Sequence, residues 1–246
     1  MRLLGAELLK IGTAPRTVIG LVLAELAVVA IGTASTIDSA LSSGAPPGFE
    51  TPALRNLESD LIGAVSSSLL FALILGVLVI TWEYRHGTIT QTFLVTPVRE
   101  RLIAIKMVAA GLVGAALVVP ALVLMLVIAE IWVGDRVHFG GHDLQLIGRV
   151  FLAAAIVAVL GLEIGASTGK QLGAIVVAFA WTAFAEPALS IWDSLHPYLP
   201  IHAIDSVLGS SDRASVSFGR GLLTIAVYIA ALGALALGLT RRRDIT

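Results

Sequence analysis

The chain has 246 residues, 57% of them hydrophobic and 13% charged, against roughly 45–50% and about 25% in an average soluble domain. A net charge of −1 offers nothing to a nucleic-acid or other polyanionic partner, and the lack of cysteine excludes disulfides, thiolate metal sites and a cysteine nucleophile. Polar residues gather in short segments between long apolar runs, the pattern of an all-α membrane protein in contact with lipid. Arginine outnumbers lysine 13 to 3 and alanine is abundant, which points to a GC-rich bacterial source and hence to a bacterial plasma membrane.

Residues 1–14 place Leu4, Leu8 and Ile11 on one helical face with Glu7 and Lys10 turned away, predicting a short amphipathic helix at the membrane surface. The apolar stretch from Thr17 exceeds the roughly 7–15 residues of a signal-peptide core and is read as a span. Six spans are predicted in a single transmembrane domain over residues 1–246, at about 17–37, 61–82, 103–132, 147–167, 171–192 and 219–240. Each can cross a hydrocarbon core of ~30 Å at ~1.5 Å per residue.

The segment 38–60 holds Gly44, Pro46, Pro47, Gly48 and Pro52 and is expected to be irregular. Pro120 should tilt or kink the third span. The fourth and fifth are separated only around Thr168-Gly169-Lys170, which forces an antiparallel hairpin. His196-Pro197-Tyr198-Leu199-Pro200 ends the fifth span. Ile201, Ile204, Val207 and Leu208 then recur at helical spacing, predicting a short re-entrant or extracellular interfacial helix before the sixth.

The distribution of Lys and Arg sets the orientation. With the N-terminus inside, eleven lie on the cytoplasmic side (Arg2, Lys10, Arg16, Arg85, Arg99, Arg101, Lys106, Lys170 and Arg241 to Arg243) against five outside (Arg55, Arg136, Arg149, Arg213, Arg220). Both termini are therefore predicted to be cytoplasmic.

Four carboxylates fall inside or near the ends of spans. Glu130 is close to a boundary, whereas Glu25, Glu163 and Glu186 would each cost about 2.5–3.5 kcal/mol at a helix centre facing lipid. They are candidates for the lining of a translocation pathway or for structural hydrogen bonds to Ser or Thr on neighbouring helices, and Pro187 beside Glu186 should loosen its helix. Gly161, Gly165, Gly169 and Gly173 recur every four residues, either as a close-packing row within or between protomers or, for Gly169, as part of a turn. His138 and His142 have the spacing of a metal pair, but Gly140 and Gly141 intervene where no helix is expected, and no metal site is assigned. No Ser-His-Asp order or His-Glu-x-x-His motif occurs, so no catalytic residue is assigned. Gly165-Ala166-Ser167-Thr168-Gly169-Lys170-Gln171 is one residue short of a phosphate loop and has Gln171 where Ser or Thr should bind magnesium.

The most informative segment joins the second and third spans. Glu83-Tyr84-Arg85-His86-Gly87-Thr88, followed by Thr96-Pro97, Arg99, Arg101 and Lys106, resembles the first cytoplasmic loop of the type-2 ABC exporter permeases, the family of bacitracin, sodium and multidrug export subunits. The six-span plan extends that resemblance over essentially the whole chain. It implies that residues 87–97 form a coupling helix docking on a cytoplasmic ABC ATPase subunit, with Glu83, Tyr84, Arg85, His86, Gly87, Thr88, Phe93 and Pro97 in the contact. It also implies that ATP and magnesium bind the partner and no cofactor binds this chain, and that a second copy or a related permease completes the pathway. Two readings from other classes stay open: an ion-coupled secondary transporter using the intramembrane carboxylates, and a membrane scaffold or sensor without an ATPase.

Overall fold

The structure, a computed structural model, describes residues 2–12, 15–42, 56–87, 99–134, 138–209 and 217–242. Helix α1 (Arg2–Gly12) precedes α2 (Pro15–Leu41); α3 (Leu57–Val65) and α4 (Ser68–Arg85) follow, then α5 (Arg99–Trp132) and α6 (Gly141–Thr168). The chain continues through α7 (Gln171–Ala180), a π-helical turn (Trp181–Ala185), α8 (Glu186–Leu189), α9 (Pro200–Leu208) and α10 (Phe218–Arg242). Among the described residues six stretches are long and apolar enough to cross a membrane: Arg16–Leu41, Leu57–Arg85, Arg101–Trp132, Gly141–Thr168, Gln171–Leu189 and Phe218–Leu239. They coincide with the six predicted spans, so the chain is a multi-pass membrane protein whose described residues form helices and no strand.

Local chemistry explains where the boundaries move. The second span is broken at Ser66 and Ser67, where the Ser67 hydroxyl donates to the Ala64 carbonyl at 2.8 Å and competes with the helical ladder. The fourth begins at Gly141, six residues before its predicted start, because the Asp143 carboxylate accepts the Gly140 N–H at 2.9 Å and caps the first turn. His142 therefore lies within a helix, contrary to the expectation for that segment, while His138 lies before it.

The fifth span ends at Leu189 and not near 192. Pro187 has no amide hydrogen and its ring would press on the carbonyl four residues earlier, Ala183; the wide turn at Trp181–Ala185 accommodates it. Helix α5 runs unbroken through Pro120. Gly169, at φ 65°, closes α6 and turns the chain directly into α7, giving the expected hairpin.

Helix α6 is the axis of the bundle. A Cβ on Gly76 of α4 would collide with the Ala158 carbonyl of α6, and one on Gly161 with the Leu73 carbonyl, so these two backbones meet without side chains between them. Gly114 of α5 approaches Ala154 and Ala158 in the same way. One apolar cluster, of Val79, Ile80, Ala110, Leu162, Ala166 and Ala236, gathers the ends of α4, α6 and α10 and the start of α5. We call this the basal end; it carries Arg85, Arg101 and Lys170. Ile37, Leu61, Met125 and Val150 fill the opposite end, and Ala203, Val207 and Ile225 seat α9 against α10.

Candidate functional site

Four charged side chains meet at the basal end. Glu83 lies in the last turn of α4, Lys106 in the second turn of α5, and Glu7 and Lys10 one turn apart on α1. The Lys106 ammonium donates to Glu7 Oε2 at 2.5 Å and to Glu83 Oε1 at 2.6 Å. Lys10 donates to Glu7 Oε1 at 2.7 Å and to Glu83 Oε1 at 3.0 Å. Lys106 is 1% exposed, Glu7 5% and Glu83 6%, so three charges are withdrawn from water and stabilised by one another.

Burial pushes the Glu7 carboxyl up, but the hydrogen bonds and charges of Lys10 and Lys106 outweigh it and hold its pKa below the ordinary value. Burial likewise pushes Lys10 down, and the hydrogen bonds to Glu7 and Glu83 leave its pKa raised. Glu83 Oε2 is buried and accepts no hydrogen bond from the described residues.

This cluster fastens together α4 and α5, the helices on either side of residues 88–98, and it fastens α1 to each of them. Glu7, expected to turn away from the apolar face, is instead buried and bonds α1 to the bundle, while Leu8 and Leu9 are exposed. The physical reason is that a buried lysine at 106 needs a second carboxylate.

The predicted docking residues separate into two groups. Glu83 is buried in the cluster and Tyr84 is half-buried against the basal apolar core. Arg85, His86 and Gly87 are exposed. The His86 ring nitrogen Nδ1 lies 2.9 Å from the Trp82 carbonyl, and Gly87 turns the chain at φ 66°, a conformation that favours glycine. Thr88, Phe93 and Pro97, with most of the predicted coupling helix, lie outside the described residues.

The three intramembrane glutamates do not form one site. Glu25 is fully buried and faces Ser68 without closing a hydrogen bond. Glu163 is also fully buried, packed where α10 has Gly233: a Cβ there would stand 3.0 Å from Glu163 Oε1. Neither has a hydrogen-bond partner among the described residues.

Glu186 is different. Its Oε1 accepts the backbone N–H groups of Ile201, at 2.5 Å, and His202, at 3.3 Å, and its Oε2 accepts the Trp181 indole N–H at 2.8 Å. It thus caps the first turn of α9 from another helix. Glu130 is exposed. Of the glycine row, Gly161 and Gly165 pack on α4 within the chain, Gly169 is the turn, and Gly173 meets only Lys170.

Two features were not legible in the sequence: the bonds from α1 to α4 and α5, and the cap on α9. In sequence Lys106 reads only as one more inside-positive charge after Arg99 and Arg101, while Glu186 stands out as a carboxylate in an apolar span. Compared with known proteins, the chain matches no protein-family model and no curated relative.

Proposed function

We propose that the chain is the permease subunit of an ATP-driven exporter of the type-2 ABC kind, working as a dimer and driven by separate cytoplasmic ATPase subunits. The observation that carries this reading is the Glu83–Lys106 pair at the base of the 86–98 segment, 2.6 Å long and shared with α1. A loop that transmits force must be rooted in stiff supports. Two helices tied by a buried ion pair meet that need, since a push on the loop then tilts α4 and α5 together and draws α1 with them. The exposed Arg85 and His86, next to a positive-φ glycine, suit a reversible polar contact with a partner.

Affinity purification from native membranes tests it. ATP hydrolysis should co-purify with the chain, and Arg85→Ala with His86→Ala should abolish that recruitment while leaving the protein folded. A chain that is stable in the membrane yet never recruits an ATPase would overturn the reading. A second one, an ion-coupled secondary transporter, is favoured by the buried carboxylates of Glu25 and Glu163, for which no hydrogen bond closes among the described residues. Uptake driven by an ion gradient into vesicles containing this chain alone would support it instead.

A further inference from the structure

Beneath α9 the helices leave a cleft of about 540 Å³ within the single chain. It exists because the fifth span touches the bundle at few points. Ala174 and Ala178 are the buried residues of α7 and Glu186 is that of α8, while the π turn between them buries none. The apolar walls come from α4 (Leu73), α6 (Leu160, Ile164), α7 (Val177) and α10 (Leu232). Such a volume suits one molecule of drug-like size.

Its polar lining is Trp181, Glu186, Asp205 and Tyr228, with Ser66 and Thr182. Trp181 is bonded to Glu186 at 2.8 Å, the Tyr228 hydroxyl donates to the Tyr198 carbonyl at 3.1 Å, and Asp205 and Glu186 are close enough to feel each other's charge. No lysine or arginine is among the described lining residues. Among the described residues, the basic groups facing these carboxylates are His196 and His202, with rings 3.6 Å apart and His202 Nδ1 3.8 Å from Glu186 Oε1; they are imidazoles and not fixed cations.

We infer that this cleft binds a lipophilic cation, with its apolar body between α4, α6 and α7 and its positive centre against Glu186 and Asp205. The two carboxylates supply a negative field that favours a cation, is left unused by a neutral amphiphile and opposes an anionic one. The Trp181 ring adds an aromatic surface for the cation. Binding requires neither ATP nor a partner, so this inference and the permease reading can fail separately.

Tetraphenylphosphonium and tetraphenylborate, alike in size and opposite in charge, are the probes, titrated calorimetrically into the full chain in zwitterionic nanodiscs against empty nanodiscs. The cation should bind saturably and the anion only partition. Asp205→Asn should weaken cation binding about tenfold or more, Ile164→Trp should abolish it by filling the cleft, and Asp60→Asn, which is not in the cleft lining, should leave it unchanged. Saturable binding of the borate to the same degree, no saturable binding of the cation, or cation binding indifferent to both cleft variants would each overturn the inference. The comparison of the two ions on the unmodified chain decides the matter even where a variant fails to fold.

Discussion

Lys106 is 1% exposed and bonded to two carboxylates that reach it from other helices. Removing one member of a buried ion pair leaves the other charged and unsolvated, which costs about 3–5 kcal/mol. Lys106→Met should therefore lower thermal stability sharply, and adding Glu83→Gln should recover part of the loss; a Lys106→Met protein melting with the unmodified chain would show that the lysine is not a counter-ion. The acid side has a definite sign. Glu7 has a pKa below its ordinary 4.5, so its contribution to docking α1 is fully present above 4.5 and is lost as pH falls through the lowered value. Lys10 is raised above 10.5, so its contribution is complete below 10.5 and is lost as pH rises through the raised value. Amide exchange in α1, corrected for intrinsic rate, should thus be flat between about pH 6 and 8 and accelerate below the carboxylate range. Acceleration on moving from neutral to mildly alkaline pH would contradict this. None of the four residues announces the cluster locally. Glu7 reads as part of a polar helix face and Lys106 as one more inside-positive charge, and the partners stand 99 and 23 residues away from Lys106, beyond the reach of any helical or loop pattern.

Helix contacts divide residues that look alike in sequence. Gly161 and Gly173 belong to one four-residue row, yet a Cβ on Gly161 would strike the Leu73 carbonyl, while one on Gly173 would only touch Lys170 at 3.7 Å. Gly161→Ala should separate α4 from α6 and destabilise by about 1–3 kcal/mol or more, whereas Gly173→Ala should be neutral or stabilise by about 0.5–1 kcal/mol through the helix preference of alanine. Equal effects of the two, measured by unfolding in one detergent, would mean that the row packs as a unit. The sequence shows the spacing but not which rung meets another backbone, because that depends on how far α4 slides along α6. Glu186 presents the same problem. Its place in an apolar span marks it as a residue needing a partner, but the partners, the Ile201 and His202 amides, belong to a helix 15 residues on whose docking the local pattern does not specify. Glu186→Ala should expose those two amides to exchange and cost about 1–2 kcal/mol, the range of a lost helix cap, whereas Glu186→Gln keeps an acceptor oxygen and should retain most of their protection.

At the scale of the whole molecule the six-span plan was readable because a backbone in hydrocarbon must bond within its own segment, so each crossing is written as one contiguous apolar stretch. The break in the second span at Ser66 and Ser67 was not, since two serines in an apolar run are ordinary and only their bonds to the preceding turn divide α3 from α4. That break raises a question of topology, because a bent pair of helices could enter and leave on the same side. Length argues against it. Leu57–Arg85 has 29 residues, about 43 Å of helix at ~1.5 Å per residue, enough for one passage through a core of ~30 Å and far short of two. Residues 45 and 90 should then lie on opposite sides, with 90 in the cytoplasm if the lysine and arginine distribution orients the chain. The protein has no cysteine of its own, so Ala45→Cys and Thr90→Cys each provide a single label site. A membrane-impermeant maleimide should modify position 45 on intact cells and position 90 only after permeabilisation. Modification of both from outside would make α3 and α4 a re-entrant pair, remove one crossing, and place the segment proposed to meet an ATPase on the side where no ATP is found.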